Sequence, residues 1–330
     1  MRLVKQLMVI INPISGTTSK KGIDEMIRHE AIRYSLATDI RFTTGPHDAT
    51  RLAKEAIEKD YYGVIACGGD GTVNETASAL CGSKVAMGII PMGSGNGLAR
   101  HLNIPLTVKG AMRVIAEDRV LPCDYATANG KPFFCTFGMG FDATVTYKFS
   151  EKGKRGLTTY LQTALDEFAK YRSEEYTIIA NGETITEEAL LVACCNASQY
   201  GNNAYIAPTA SIKDGLLDIT IIHKGSPLKL ALAGIDVLAG LVGKTANATT
   251  FRASNLTITR KESGPAHLDG EPATMDERIE VACHPGELLL FTTARKSHYR
   301  ALLSPQIPFI SPFVLTMQDM GYKILNLFRK

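Results

Sequence analysis

Cys67-Gly68-Gly69-Asp70-Gly71-Thr72-Val73-Asn74-Glu75 follows the apolar run Tyr61 to Ala66 (YYGVIA) and precedes a helix-like segment, Thr76 to Leu80. Three glycines surround one carboxylate at the point where a strand passes into a helix. Glycine has no Cβ, so the backbone here can take positive φ and bring its N–H groups close to an anion. The start of the following helix adds unpaired N–H groups and the positive end of its dipole. The stretch predicts a phosphate cradle. It lacks the lysine of GxxxxGK[ST], so the cradle differs from a P-loop.

On either side of this turn, short apolar runs alternate with helical patterns. Leu7 to Ile11 reads as a doubly buried strand ending at Asn12-Pro13-Ile14-Ser15-Gly16, and Ile23 to Tyr34 has helical character. Ile40 to Thr43 reads as a short strand, and Ala49 to Lys59 puts Leu52, Ala53, Ala56 and Ile57 on one helical face. Val64 to Ala66 is the strand before the glycine turn. Ala86 to Ile90 is another, running into Pro91-Met92-Gly93-Ser94-Gly95-Asn96-Gly97. This alternation predicts an α/β domain with a mostly parallel sheet over residues 1–122. Ligands of such sheets sit beyond the carboxyl ends of the strands, so the three turns are expected to share one edge.

Beyond Pro122 the texture changes. Val120 to Cys135, Tyr176 to Ile185, Leu190 to Cys195, Leu216 to His223, Asn255 to Arg260, Arg278 to Cys283 and Leu288 to Thr293 read as strands. Helical segments interrupt them at Thr158 to Tyr171 and Leu228 to Leu241. A β-rich, antiparallel, sandwich-like domain is expected over residues 123–295. In the extension 296–330, apolar residues recur at helical spacing from Phe313 to Phe328. Such a helix either docks on a domain or, with Lys323, Arg329 and Lys330, lies at a membrane interface.

Composition narrows the function classes. A chain of 330 residues exceeds the usual single core, and 45% apolar with 21% charged residues fits a soluble globular protein. With 36 basic against 33 acidic residues the net charge is only +3, and no basic run is interleaved with aromatics, so nucleic acid is not an expected partner. The seven cysteines form no C-x-x-C pair, which argues against a disulfide framework or a zinc site and for a cytoplasmic setting. The N-terminal MRLVKQLMVIINP reads as a first buried strand rather than an export signal, since it is short and ends in Asn-Pro. No apolar window is long enough to span a membrane. The histidines lack ligand spacing, and Ser226 has no G-x-S-x-G context.

Four motifs, GGDGTVNE at 68–75, PMGSGNGLAR at 91–100, KDGLLD at 213–218 and HLDGEP at 267–272, together resemble the diacylglycerol kinase catalytic-domain superfamily. Its members include bacterial soluble lipid kinases, sphingosine kinases and ceramide kinases. The similarity runs from about residue 5 to about residue 295 and keeps the family's motif order. NAD kinases carry a similar GGDG turn, but an NAD kinase explains neither GSGNG nor KDGLLD in this order. The resemblance implies ATP and Mg²⁺ as cofactors and transfer of the γ-phosphoryl group to a lipid hydroxyl, with diacylglycerol or a related lipid as acceptor. Alternatives are a sphingoid-base or ceramide kinase, an NAD kinase, and a catalytically silent lipid-binding scaffold.

The same resemblance assigns roles. Asp70 works with Mg²⁺-ATP or helps orient the attacking hydroxyl, and Glu271 matches the family's general base. Gly68, Gly69, Gly71 and Thr72 belong to the cradle, and Asn74 is a nucleotide contact, while Glu75 stays open. Asn12, Ser15 and Gly16 become a nucleotide-side loop, Thr43 matches a position that touches ATP, and Ser94 and Asn96 belong to the second turn. Asp214 matches a structural Mg²⁺ site, with Ser211 and Leu216 contributing backbone carbonyls. Asp218 is either a strand residue or part of that network. Asp124, at the domain boundary, and Asp142, near the lipid head group, are substrate-side candidates. Bacterial members typically read G-T-x-N-D, whereas this chain has Gly93-Ser94-Gly95-Asn96-Gly97, a form similar to the sphingosine- and ceramide-kinase relatives. The expected partner is a lipid at the inner membrane surface, reached by peripheral contact. Edge strands of the β-rich domain leave a homodimer open.

Overall fold

The computed structural model describes residues 5–16, 22–151, 157–168, 170–294 and 301. The helix expected at 313–328 lies outside the described residues. Among the described residues, no helix is long and apolar enough to cross a membrane.

The first domain runs β1 (Gln6–Ile11), α1 (Ile23–Arg33), β2 (Ala37–Phe42), α2 (Asp48–Glu58), β3 (Gly63–Gly68), α3 (Asp70–Leu80), β4 (Ala86–Pro91), α4 (Gly97–His101) and α5 (Val108–Ala116). Its strands are parallel in the order β4-β3-β1-β2. Every residue of β3 and β4 is buried, as is all of β1 after Gln6. Helices pack in the pairs α1–α5 and α2–α3. With both faces covered, the strands read as continuous apolar runs without alternation. The sequence pattern lacked α4 and α5. α4 has only five residues, and α5 starts at a Thr107 cap whose hydroxyl accepts from the Gly110 N–H.

The second domain continues with β5 (Val120–Ala128), β6 (Lys131–Phe133), β7 (Thr136–Gly140), α6 (Phe141–Glu151), α7 (Leu157–Phe168), β8 (Glu174–Ala180) and β9 (Glu183–Cys195). It ends with β10 (Leu217–His223), α8 (Pro227–Ala239), β11 (Ala248–Ala253), β12 (Asn255–Arg260), β13 (Gly264–Leu268), β14 (Glu271–Met275) and β15 (Arg278–Phe291). Its ladders are antiparallel, in the order β14-β13-β7-β9-β8-β12-β15. Phe133, Phe137, Tyr176 and Ile258 are fully buried in its core. Gly140, at φ 96, turns the chain from β7 into α6 despite the strand-like composition of FDATVTYKFSE.

Two strands expected at Arg278 to Cys283 and Leu288 to Thr293 are one. β15 pairs with β5 along most of its length and absorbs Pro285-Gly286-Glu287 as an irregularity between His284 and Leu288. Its far end also meets β4, Leu290 lying beside Met87 in parallel register. Leu288, Leu290 and Phe291 are buried in the core of the first domain. β15 therefore joins both domains into one hydrogen-bonded sheet.

Candidate active site

Three turns meet beyond the carboxyl ends of β1, β3 and β4. The Asn12 N–H donates to Cys67 O and the Met92 N–H to Gly68 O, so each loop leaves the sheet along its neighbour. The Asn12 amide donates to Thr72 Oγ1 at 3.0 Å and accepts from the Ile14 N–H at 3.1 Å, while Ser15 Oγ donates to Asn12 O at 3.2 Å. Backbone packs on backbone here. A Cβ on Gly16, which has φ 71, would stand 2.0 Å from Met92 O, and one on Gly93 would stand 2.7 Å from Gly69 Cα. A Cβ on Gly68 would strike Thr72 at 2.5 Å. Thr43 follows β2, one strand over, its N–H donating to Ile11 O at 2.9 Å. Ser94 is exposed at the tip of the second turn, and buried Asn96 closes that turn on itself. Its Oδ1 accepts from the Gly93 N–H at 2.9 Å and its Nδ2 donates to Gly93 O at 2.7 Å.

Asp70 opens α3 and spans two of these turns. Its carboxylate accepts from the Asn96 N–H at 2.9 Å and the Gly97 N–H at 2.8 Å. Burial pushes its carboxyl above the usual range, these N–H bonds pull it back, and nearby Asp269 pushes it up further. The N-cap residue, Gly69, has no side chain to cap the first turn of α3. That helix start presents N–H groups and a positive dipole end at the meeting point of the loops. A Cβ on Gly97 would stand 3.4 Å from Cys135 Sγ and from Tyr200 O, which is ordinary contact distance.

The second domain reaches this helix start through the β13–β14 hairpin. Asp269 occupies its turn at φ 52, before Gly270 at φ 83. Its carboxylate accepts from the Phe134, Cys135 and Thr136 N–H groups at 2.9, 2.7 and 3.0 Å, and from the Asn74 amide at 2.8 Å. Burial pushes its carboxyl up and these donors pull it down. Sequence reasoning passed over Asp269, because an Asp-Gly pair reads as a turn. Glu271, the first residue of β14, brings its Oε1 to 3.2 Å from where a Cβ on Gly71 would stand. Glu271 and the cradle helix therefore meet, although 200 positions separate them in the numbering. Beside them opens a cleft of about 350 Å³, lined among others by Asn74, Ser78, Lys131, Leu268 and Glu271. Glu75 caps a neighbouring helix: its carboxylate accepts from the His47 N–H at 3.0 Å and the Ala49 N–H at 3.2 Å, at the start of α2.

The remaining candidates lie in the second domain. Buried Asp124, on β5, accepts from the Gly215 N–H and the Gly286 N–H, each at 2.8 Å, and so ties the 211–216 loop to the irregularity in β15. Ser211, Asp214 and Leu216 share that loop. Asp214 Oδ1 accepts from the Leu216 N–H at 3.2 Å, and its Oδ2 lies 3.7 Å from Arg252. Arg252 also pairs with Asp218 at 3.3 Å. Asp142, in the first turn of α6, accepts from the Ala143 N–H, from the Tyr200 hydroxyl and from His267. Among the described residues, no group of three or more His, Cys, Asp or Glu could hold a metal ion.

An anion cradle at a parallel-sheet edge, faced by a carboxylate from an antiparallel second domain, suits a two-domain phosphotransferase. Comparison with known proteins gives the same class. The family described as diacylglycerol kinase catalytic domain matches residues 6–128, and the YegS C-terminal NAD kinase beta sandwich-like domain matches residues 136–292. The "probable lipid kinase YegS-like" of Klebsiella pneumoniae (strain 342) is 32% identical over 261 residues, covering 76% of this chain and 86% of that protein. The diacylglycerol kinase of Bacillus subtilis (strain 168) is 28% identical over 275 residues, covering 81% and 90%. A crystal structure of a diacylglycerol kinase from Bacillus anthracis str. Sterne has a TM-score of 0.69 at 22% identity, covering 88% of this chain and 97% of that one. The chain belongs to the diacylglycerol kinase and YegS-like family of lipid kinases.

Proposed function

We propose that this kinase transfers the γ-phosphoryl group of Mg²⁺-ATP to the hydroxyl of diacylglycerol or a related lipid, working in the cytoplasm at the inner membrane surface. The observation that carries this reading is the meeting of Gly71 and Glu271, which puts a carboxylate beside the helix start that would receive phosphate. The uncapped first turn of α3 receives the phosphates at its N-terminal N–H groups, and the close-packed glycine loops of 12–16 and 93–97 shape the cradle around them. Asp70 ties the 93–97 turn to the start of α3, which keeps the cradle preorganised. Glu271 takes the proton from the acceptor hydroxyl. Mg²⁺ bound with the nucleotide supplies charge neutralisation on the phosphates. At the 211–216 loop, Asp214 already faces Arg252 and the Asp124 carboxylate is taken up by the Gly215 and Gly286 N–H groups, a poor donor set for a cation that demands near-octahedral oxygen ligation, so no step runs through a metal there.

The test is to incubate the purified protein with γ-labelled ATP and, in separate reactions, micellar diacylglycerol, sphingosine, ceramide, or NAD. Label in diacylglycerol is the expected result. Label confined to sphingosine or ceramide would move the acceptor, and label only in NAD would sink the lipid reading. Transfer to no acceptor would leave a silent lipid-binding scaffold.

A further inference from the structure

We infer that Tyr200, Asp142 and His267 form a positioning relay that sets Glu271 from the state of the second nucleotide turn. This rests on the proposed role of Glu271. The relay begins at Gly95, whose carbonyl accepts from the Asn202 N–H at 3.2 Å; a Cβ on Gly201 would lie only 3.0 Å from Gly95. From the same loop the Tyr200 hydroxyl donates to Asp142 Oδ2 at 2.7 Å. His267 Nε2 meets that oxygen at 3.1 Å, and the Gly270 N–H donates to His267 Nδ1 at 3.4 Å, one residue before Glu271. Since Nδ1 accepts, Nε2 carries the hydrogen and donates to Asp142.

A core histidine with satisfied hydrogen bonds is the plain alternative, and two features argue for more. First, the pair occupies space that Gly138 leaves open. A Cβ there would stand 2.3 Å from His267 Nε2 and 2.4 Å from Asp142 Oδ2. Second, the pair has a partner at each end on a different part of the site: Tyr200 from the loop lying on the nucleotide turn, Gly270 from the hairpin that presents Glu271. The rings of Tyr200 and His267 also meet edge to face at 5.8 Å, so the two ends are packed as well as bonded. Asp142 is 6% and His267 2% exposed, which keeps the pair out of solvent, while Tyr200 is half-buried. Small displacements at a reacting group cost rate heavily, up to about a hundredfold per ångström.

The test uses Tyr200→Phe and His267→Leu, each made alone and in a Glu271→Gln background, with initial rates at saturating ATP and micellar diacylglycerol. Alone, each should lower kcat by about tenfold or more with the KM for ATP within about twofold. His267→Gln, which keeps a donor toward Asp142, should recover most of that loss. In the Glu271→Gln background the same changes should cost nothing further, because the residue they position is gone. Equal losses in both backgrounds, or a loss of melting temperature without loss of kcat, would overturn the relay. Full activity of Glu271→Gln alone would instead remove the general base, and the relay with it. Tyr200→Phe keeps the test available should His267→Leu fail to fold.

Discussion

Gly71 separates stability from activity at the level of one atom. Alanine is the better helix former by up to about 1 kcal/mol, so Gly71→Ala should hold or raise the melting temperature. The added Cβ would stand 3.2 Å from Glu271 Oε1 and push that carboxylate aside by a few tenths of an ångström. We expect kcat to fall about tenfold while thermal denaturation shows no loss; unchanged kcat would mean that Glu271 does not act from this position. Asp70 was legible as a carboxylate inside an anion cradle, because its glycine setting is local. Its engagement with the Asn96 and Gly97 N–H groups was not, since that depends on a turn 26 positions away. Asp269 was illegible for a different reason. Its four donors come from α3 and from residues 134–136, and the Asp-Gly pair by itself predicts only a turn.

Among the elements, α2 and α4 are secured from outside their own sequence. The periodic pattern of α2 was readable, but His47, its N-cap residue, makes no side-chain cap and the carboxylate comes from Glu75 on α3. Glu75→Ala should cost about 1 kcal/mol and be visible as a lowered urea midpoint with unchanged slope. At the end of α4, half-buried His101 accepts from the Ser198 N–H through Nδ1 at 3.1 Å, linking the two domains. Burial pushes its pKa down from 6.5 to about 4, with Lys213 adding to the shift. The sign follows: below pH 6.5 the unfolded chain gains a proton that the folded chain refuses until about pH 4. Stability present above pH 6.5 should therefore fall with acidification, by up to about 1.4 kcal/mol per pH unit within that window. Melting curves of the native chain and His101→Asn across the window test this; parallel curves would exclude His101 as the source. β13 and β14 escaped the sequence pattern because Pro265 and Pro272 interrupt five-residue runs that only their neighbours make into strands.

At the scale of the whole molecule, the alternation of strands and helices, then a strand-rich stretch with few helices, made both layers readable from the apolar pattern. The strand that joins them was not, because LLLF at 288–291 looks like any buried strand and its neighbour Met87 is remote in sequence. Leu290 is 1% exposed and touches the first core from the second domain. Leu290→Ala should cost about 2–5 kcal/mol and lower the melting of both domains together in one transition; two transitions with only one shifted would contradict a shared core. The same strand sets a timetable for synthesis. β4 leaves the ribosome without β15 on its flank, and that neighbour is complete only when residue 291 has been made. At ordinary elongation rates the delay is roughly ten to forty seconds. During that interval β4 lacks its β15 neighbour, and an unpaired edge of this kind is a surface on which a nascent chain can mispair.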